Sequence, residues 1–182
     1  MPGIPESALA AGFVGEPGGV HTSKTMMLAE LRQLLAACPV TATPEEYRAA
    51  VIDDNVLLKQ TATTRHKTHK LLRQLYTLDL HVVLFRALRR LWDADDESQP
   101  LLALLCALAR DPLLRATAEP IADTPVGQIL TPEILAARID DTFPGRYSGA
   151  TVSTTGRNIA STWQQSGHLQ GKLRKVRAQA TA

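Results

Sequence analysis

The chain has 182 residues, of which 45% are hydrophobic and only 4% aromatic. This length and apolar content suit one compact domain, or a main domain with a small appendage. Alanine and leucine dominate the apolar set and β-branched residues are scarce, a bias that favours helices and argues against an extensive sheet. The composition therefore predicts an all-α protein, a compact multi-helix globular bundle.

The two cysteines, Cys38 and Cys106, lie far apart within apolar stretches. A free thiol behaves there as a small hydrophobic side chain, and a disulfide framework has no support. The longest apolar run, residues 100–109, is about half of the roughly 20 residues that a membrane-spanning helix needs. Residues 1–20 lack the charged start and apolar stretch of a signal peptide. We therefore expect a soluble protein of the reducing cytoplasm without membrane contact.

The formal net charge is only +2, but the charges are segregated along the chain. Residues 55–90 carry 8 basic residues and 1 acidic residue, and residues 142–182 carry 6 basic residues and no acidic ones. Residues 1–54 and 91–141 are acidic, with net charges of −4 and −7. Clustered Lys and Arg are typical of a phosphate-binding surface. Solvated helix faces give the same pattern and are the alternative interpretation.

The first two-thirds of the chain are predicted to form an arm and a helical core. Residues 1–21 contain glycine and proline and are expected to be a flexible N-terminal arm. Residues 22–120 are expected to form the core bundle, in which the leucine-rich helix over residues 101–110 is apolar nearly all round and therefore central. Apolar periodicity, capping residues and prolines predict the helices of this core over residues 25–37, 43–54, 61–78, 79–92, 100–110 and 111–119.

Residues 121–182 are expected to form a C-terminal helix-turn-helix-like subdomain with a basic tail. Helices are predicted over residues 131–143 and 148–166, and Gly167 is expected to end the second of them. Gly156 is expected to permit close packing on its apolar side. The segment after Gly167 loosely alternates apolar and basic residues, which predicts a short β wing. Its apolar positions are Leu169, Leu173 and Val176.

Two parts of this subdomain are candidates for nucleic-acid contact. The 148–166 helix has a polar, mostly uncharged side, on which Arg157 and Asn158 are the best candidates for contacting base edges. A plain solvent-facing side is the alternative there. The wing adds three candidate phosphate contacts, which are Lys172, Arg174 and Lys175.

The other candidate phosphate contacts lie in the first basic stretch. Arg65, Lys67, Lys70 and Arg73 are predicted to lie in one helix, close to its N-terminal half. Cations there repel one another and face the positive end of the helix dipole, so a bound phosphate would relieve both penalties. The sequence therefore predicts that these four residues contact the nucleic-acid backbone.

No motif in the chain indicates an enzyme. His66 and His69 lie in the first basic stretch, but no cysteine or third histidine has ligand spacing, so no metal site is predicted. A phosphate loop before Lys24 is excluded because Ser23 stands where a glycine is needed and no strand leads into it. The adjacent aspartate pairs point about 100° apart on a helix and seldom share one metal ion. We expect no catalytic residue, no cofactor and no metal.

Several motifs resemble those of BrxA, a family of core components of BREX phage-defence systems. They are DNVLLK at residues 54–59, TATTR at 61–65, LRQLYTL at 72–78, RYS at 146–148, Arg157, Trp163, GHL at 167–169 and Lys172. The resemblance spans residues 28–177. It implies an all-helical fold similar in shape to the antitermination factor NusB, and DNA binding without known enzymatic activity. The glycine-rich N-terminus and the connection around Thr124 depart from the family pattern.

These observations lead to one leading hypothesis and two alternatives. The leading hypothesis is a non-enzymatic, sequence-tolerant DNA-binding accessory protein of a BREX-type phage-defence system, monomeric and in contact with duplex DNA and other BREX components. The alternatives are a helical adaptor that docks a protein partner and a NusB-like RNA-binding factor. DNA binding by both basic stretches requires that they lie on a common face or within reach of one duplex.

Overall fold

The computed structural model describes residues 3–16, 18–172 and 174–180. As the composition predicts, the fold is all-α apart from a two-stranded hairpin near the C-terminus. The helices are α1 (Glu6–Ala11), α2 (Leu28–Ala37), α3 (Pro44–Ile52), α4 (Ala62–Tyr76), α5 (Val83–Leu91), α6 (Gln99–Arg110), α7 (Pro112–Ala116), α8 (Ala118–Asp123), α9 (Pro132–Thr142) and α10 (Gly149–Gln165). A 3-10 turn (Val20–Thr22) precedes α2, and the strands are β1 (Leu169–Gln170) and β2 (Val176–Arg177). No helix in these described ranges is long and apolar enough to cross a bilayer.

Side-chain caps fix the start of three predicted helices. At α3 the Thr43 hydroxyl accepts a hydrogen bond from the Glu46 amide at 3.2 Å, and the Glu46 carboxylate accepts one from the Thr43 amide at 2.7 Å. This reciprocal pair is a capping box and satisfies two amides that the helix leaves without partners. Thr61 and Ser148 cap α4 and α10 through the amide three residues later. The helix starts read from the sequence are confirmed at these positions.

One hydrophobic core runs through the described residues. It contains leucine side chains of α2, α4 and α6 together with Tyr47 and Phe85, whose rings meet edge to face with their centroids 5.6 Å apart. Ile159 and Trp163 of α10 belong to the same core. Burial of these large apolar side chains supplies the main favourable free energy of folding. The core therefore continues across the subdomain boundary predicted at residue 121.

The C-terminal helix pair has the predicted helix-turn-helix-like arrangement, with α9 packed against α10. A Cβ atom on Gly156 would lie 2.5 Å from the Pro132 carbonyl oxygen and 2.8 Å from the Ala136 Cβ. Only glycine fits such a close approach without displacing the backbone of α9. The close packing predicted at Gly156 is confirmed.

The short wing predicted after α10 is also present. β1 and β2 pair antiparallel, with Leu169 opposite Arg177 and Gln170 opposite Val176. Leu169 is buried, as the alternation predicts, and Val176 is partly buried. The third predicted apolar position, Leu173, lies outside the described residues.

The segment predicted as a flexible arm contains packed structure in its described part. α1 lies against α5, and the Val14 amide donates a hydrogen bond to the Ala109 carbonyl at 3.0 Å. Val20 and His21 of the 3-10 turn are buried. The turn therefore belongs to the core, and the predicted arm boundary at residue 21 needs correction. The sequence pattern missed this because the partners of the segment lie far along the chain. We call residues 18–27 the N-terminal strap.

Three helix boundaries differ from the prediction for local reasons. Met27 has a left-handed φ of 56°, so α2 begins after it and not at residue 25. The Asp79 carboxylate accepts a hydrogen bond from the His81 amide at 2.9 Å and forms a turn, so the cap of α5 is Val82 and not Asp79, and the helix starts three residues later than predicted, at Val83. The predicted helix over residues 111–119 is divided into α7 and α8 at Thr117.

Both cysteines are free and buried, as predicted. Burial raises the pKa of the Cys106 thiol to about 12, and the charge of Arg110 opposes this shift only in part. Burial also raises the pKa of Cys38. The thiolate is the reactive form of cysteine, so neither side chain has the environment of a nucleophile.

Candidate nucleic-acid interface

The exposed side of α4 carries three free cations of the first basic stretch. α4 buries its leucines and Thr68 against the core, and Lys67, Lys70 and Arg73 are exposed on the opposite side. Residues 55–78 contain no Asp or Glu. Within the described part of the chain, these three side chains have no ion pair or hydrogen bond. We call Lys67, Lys70 and Arg73 the α4 cationic face.

Arg65, which is predicted to contact phosphate together with these three residues, makes a hydrogen bond within the protein. Its guanidinium donates a hydrogen bond to the Ile52 carbonyl oxygen at 2.8 Å, at the last residue of α3. The last carbonyls of a helix have no partner within the helix, so Arg65 supplies one from α4. The side chain is partly buried. Phosphate binding by Arg65 stays a prediction, and its position ties α4 to α3.

The two candidate residues on the polar side of α10, Arg157 and Asn158, have different environments. Arg157 is exposed and donates to the hydroxyls of Ser153 at 2.9 Å and Thr154 at 3.0 Å. Asn158 is partly buried, and its side-chain amide donates to the His21 carbonyl at 2.9 Å. Arg157 can reach an external ligand by turning away from neutral hydroxyls, whereas Asn158 fastens α10 to the N-terminal strap.

The wing presents two exposed cations, Lys172 and Arg174, which have no ion pair among the described residues. We call these two residues the wing cations. Lys175 is partly buried, and its ammonium group donates to the side-chain oxygen of Gln164 and to the Gly171 carbonyl. Burial lowers the pKa of Lys175. Lys175 therefore stabilises the hairpin and connects it to the end of α10.

Packing neutralises little of the charge in the first basic stretch. Lys59 pairs with Glu30 at 3.1 Å, and buried Arg89 pairs with Asp93 at 2.9 Å. Arg89 also donates to carbonyl oxygens at the end of α2. These two pairs join the stretch to the acidic blocks, while the α4 cationic face remains without acidic neighbours at ion-pair distance in the described chain. The segregation of charge in the sequence is therefore kept on the surface.

The α4 cationic face and the wing cations lie on elements that share neighbours. α4 and α10 both contact the 3-10 turn and α6. Among the described residues, no hydrogen bond or ion pair joins α4 to the hairpin. The two cationic surfaces therefore lie on different elements that are packed on the same core.

A buried polar chain that the sequence did not indicate fastens the N-terminal strap. The His21 Nδ1 lies 2.7 Å from the Asp111 Oδ2, and its Nε2 lies 3.0 Å from the Thr162 Oγ1. The Thr162 Oγ1 also accepts from the Met26 amide at 2.9 Å. Burial raises the pKa of Asp111, but hydrogen bonds from His21 and the Leu113 amide outweigh it and hold the pKa below its ordinary value.

Asp111, His21 and Thr162 are connected in the same order as the acid, base and nucleophile of a hydrolase triad, but no substrate can reach these buried side chains. The relative exposures of His21, Asp111 and Thr162 are 0%, 1% and 0%, whereas a catalytic nucleophile must meet its substrate. The role of these three residues is to join the strap to α7 and α10. In residues 3–16, 18–172 and 174–180, no group of three or more His, Cys, Asp or Glu side chains could hold a metal ion.

Neither a protein-family model nor a curated protein matches this chain. The fold and the surface define a class in general terms, an all-α bundle with a short hairpin and a cationic helix face.

Proposed function

We propose that this chain is a non-enzymatic protein that binds duplex DNA through its phosphate backbone and serves a BREX-type phage-defence system. The observation that supports nucleic-acid binding is the α4 cationic face, which has three exposed cations and no acidic neighbour at ion-pair distance in the described chain. The BREX assignment rests on the resemblance of residues 28–177 to BrxA.

The spacing of the α4 cationic face suits a phosphate backbone. At 1.5 Å per residue, Lys67 and Arg73 are separated by about 9 Å along the helix axis. One strand of duplex DNA carries a charge about every 3.4 Å of its axis, so the face spans roughly two to three phosphates. Contacts to phosphate fix the position of a protein but carry no sequence information. Binding through this face is therefore tolerant of sequence.

The dependence of affinity on salt tests this proposal. We expect the Lys67→Ala/Lys70→Ala variant to lower the slope of log K against log salt by about 1.8, because each lost phosphate contact removes about 0.9. Lys24→Ala/Arg90→Ala is the matched control, since it removes the same charge from exposed side chains elsewhere. Fluorescence anisotropy with a labelled duplex at several salt concentrations measures both. Equal slopes for the two variants, or no binding at low salt, would contradict the proposal.

The wing cations provide the second contact, and a third variant tests whether one duplex reaches both surfaces. Lys172→Ala/Arg174→Ala is expected to lower the slope by a similar amount. The quadruple variant combines all four substitutions. If both surfaces hold one duplex, its slope of log K against log salt is lowered by about the sum of the two separate decreases. A quadruple variant no weaker than the Lys67→Ala/Lys70→Ala variant would remove the wing from the interface.

The same proteins separate the alternatives. Preference for single-stranded RNA in a competition titration would favour the NusB-like factor. A Lys67→Ala/Lys70→Ala variant that binds DNA normally but no longer co-purifies with neighbouring gene products would favour the adaptor. A methyltransferase and a large ATPase encoded beside this gene would support the BREX assignment.

A further inference from the structure

A cleft of about 480 Å³ opens between the start of α3, the end of α4 and the loop before α5. Its lining includes Glu45, Arg73, Thr77, Asp79 and Arg110. A recess of about 120 Å³ adjoins the cleft, shares several of these residues and adds Arg48 and His69. Arg73 and Arg110 thus line the cleft, and Arg48, His69 and Arg73 line the recess.

Two of the arginines around the cleft and its recess are available to bind a ligand, and the third is held in place by backbone carbonyl oxygens. Arg73 has no ion pair or hydrogen bond with the described residues. Arg48 has only a loose contact with Asp53, at 3.8 Å between two exposed side chains, and such pairs contribute little. Arg110 is held by the carbonyl oxygens of Gln74 and Gly12, both at 2.6 Å.

His69 is affected by the positive charge of this cleft. Burial lowers its pKa, and the nearby charges of Arg73, Arg48 and His66 lower it further. The imidazole is therefore mostly neutral near pH 7, a form in which one ring nitrogen donates a hydrogen bond and the other accepts one. A bound anion would offset the repulsion from the arginines.

Two carboxylates in the same lining restrict the ligand. Glu45 and Asp79 form no ion pair with the arginines of the cleft. The Asp79 carboxylate is turned to the His81 amide at 2.9 Å, and Glu45 is exposed in the first turn of α3. A bare anion would be repelled by these groups. A ligand with an oxyanion at one end and hydrogen-bond donors at the other would satisfy both kinds of side chain.

We propose that this cleft and its recess bind a nucleoside phosphate, with the phosphoryl oxygens on Arg73 and, in the recess, on Arg48, and the sugar or base donors on Glu45 and Asp79. The cleft volume lies within the range of roughly 300–1,000 Å³ that is usual for small-molecule sites. Arginine binds phosphate through paired donors, which suits this role. The ligand is a free nucleotide or the 5′-phosphorylated end of a strand. This inference goes beyond backbone binding, although Arg73 belongs to both surfaces.

Calorimetric titration with adenosine and guanosine 5′-monophosphate tests the inference. We expect saturable binding that Arg48→Ala weakens at least tenfold, while Lys67→Ala/Lys70→Ala and the exposed control Arg90→Ala leave it unchanged. The NMR resonance of His69 is expected to shift with the same saturation curve. Absence of binding at millimolar nucleotide, or an equal loss in Arg90→Ala, would overturn the proposal.

Further experiments distinguish a free nucleotide from a strand end and test the role of the carboxylates. Tighter binding of a 5′-phosphorylated oligonucleotide than of its unphosphorylated form would assign a strand end, and equal binding of the two would assign a free nucleotide. Glu45→Gln is expected to reduce the preference for nucleotide over inorganic phosphate, and equal affinity of the unmodified protein for both would overturn the nucleoside part. Duplex binding that persists in Arg48→Ala but is lost in Lys67→Ala/Lys70→Ala would separate this site from the proposed DNA contact.

Discussion

The imidazole of His21 lies 2.7 Å from the carboxylate of Asp111, and both side chains are buried. His21→Ala leaves that carboxylate in the core with fewer hydrogen bonds, and removing one member of a buried polar pair is strongly destabilising. We expect the free energy of unfolding to fall by about 3 kcal/mol, measured by urea denaturation. The exposed His81→Ala is the control, with a change within about 0.5 kcal/mol. Equal effects at the two positions would contradict the role assigned to His21.

The same pair predicts a dependence of stability on pH. The pKa of Asp111 in the folded state is lower than its ordinary value of 3.8. Its contribution to stability is therefore fully present above that value and is lost as the pH falls through the folded-state pKa. Asp111→Asn keeps the shape but removes the charge, so the stability difference from the unmodified protein is expected to shrink below about pH 4. A difference that stays constant down to about pH 2.5, or an equal trend in exposed Asp123→Asn, would contradict this.

Gly156 predicts a steric effect at the contact between α9 and α10. An added Cβ meets the Pro132 carbonyl oxygen at 2.5 Å, so Gly156→Ala is expected to lower stability by about 1–3 kcal/mol. Gly149→Ala is the matched control, because nothing lies within 4 Å of its added Cβ, and alanine favours a helix there. Thermal denaturation compares them. A similar Tm for both variants would show that α10 can move away from α9.

Arg157 and Asn158, adjacent on α10, are expected to differ in the property they change. Asn158→Ala removes the hydrogen bond to the His21 carbonyl and is expected to cost about 1 kcal/mol of stability, with the salt dependence of DNA binding unchanged. Arg157→Ala is expected to lower the salt slope by about 0.9 and leave stability nearly unchanged. Urea denaturation and anisotropy titrations on both variants measure this. A lower salt slope in Asn158→Ala, together with lower stability in Arg157→Ala, would contradict this and would indicate that Asn158 contacts DNA.

Features encoded by neighbouring residues were predictable from the sequence. The start of α4 at Thr61 and its leucine spacing are set by residues a few positions apart, and Ser148 and Gly167 each act on the nearest turn of α10, at its two ends. Helix periodicity also placed Lys67 and Lys70 opposite the buried leucines. All of these depend on contacts within about four residues along the chain.

Features that depend on distant partners were not predictable in this way. Arg65 and Asn158 look like exposed polar side chains in the sequence, and only the tertiary fold brings the carbonyls of Ile52 and His21 to them. Arg48 was missed because it lies in a block whose net charge is acidic, and a sum over a block conceals one cation that faces another helix. No local signal distinguishes it.

The strap also has a consequence for folding during synthesis. Thr162, one of the two side-chain partners of His21, lies 141 positions after it in the chain. Synthesis proceeds from the N-terminal side, so α10 has to emerge from the ribosome before the strap can reach its final place. Until then the Met26 amide lacks its hydrogen-bond partner Thr162, so the strap is secured only after a much later segment has been made.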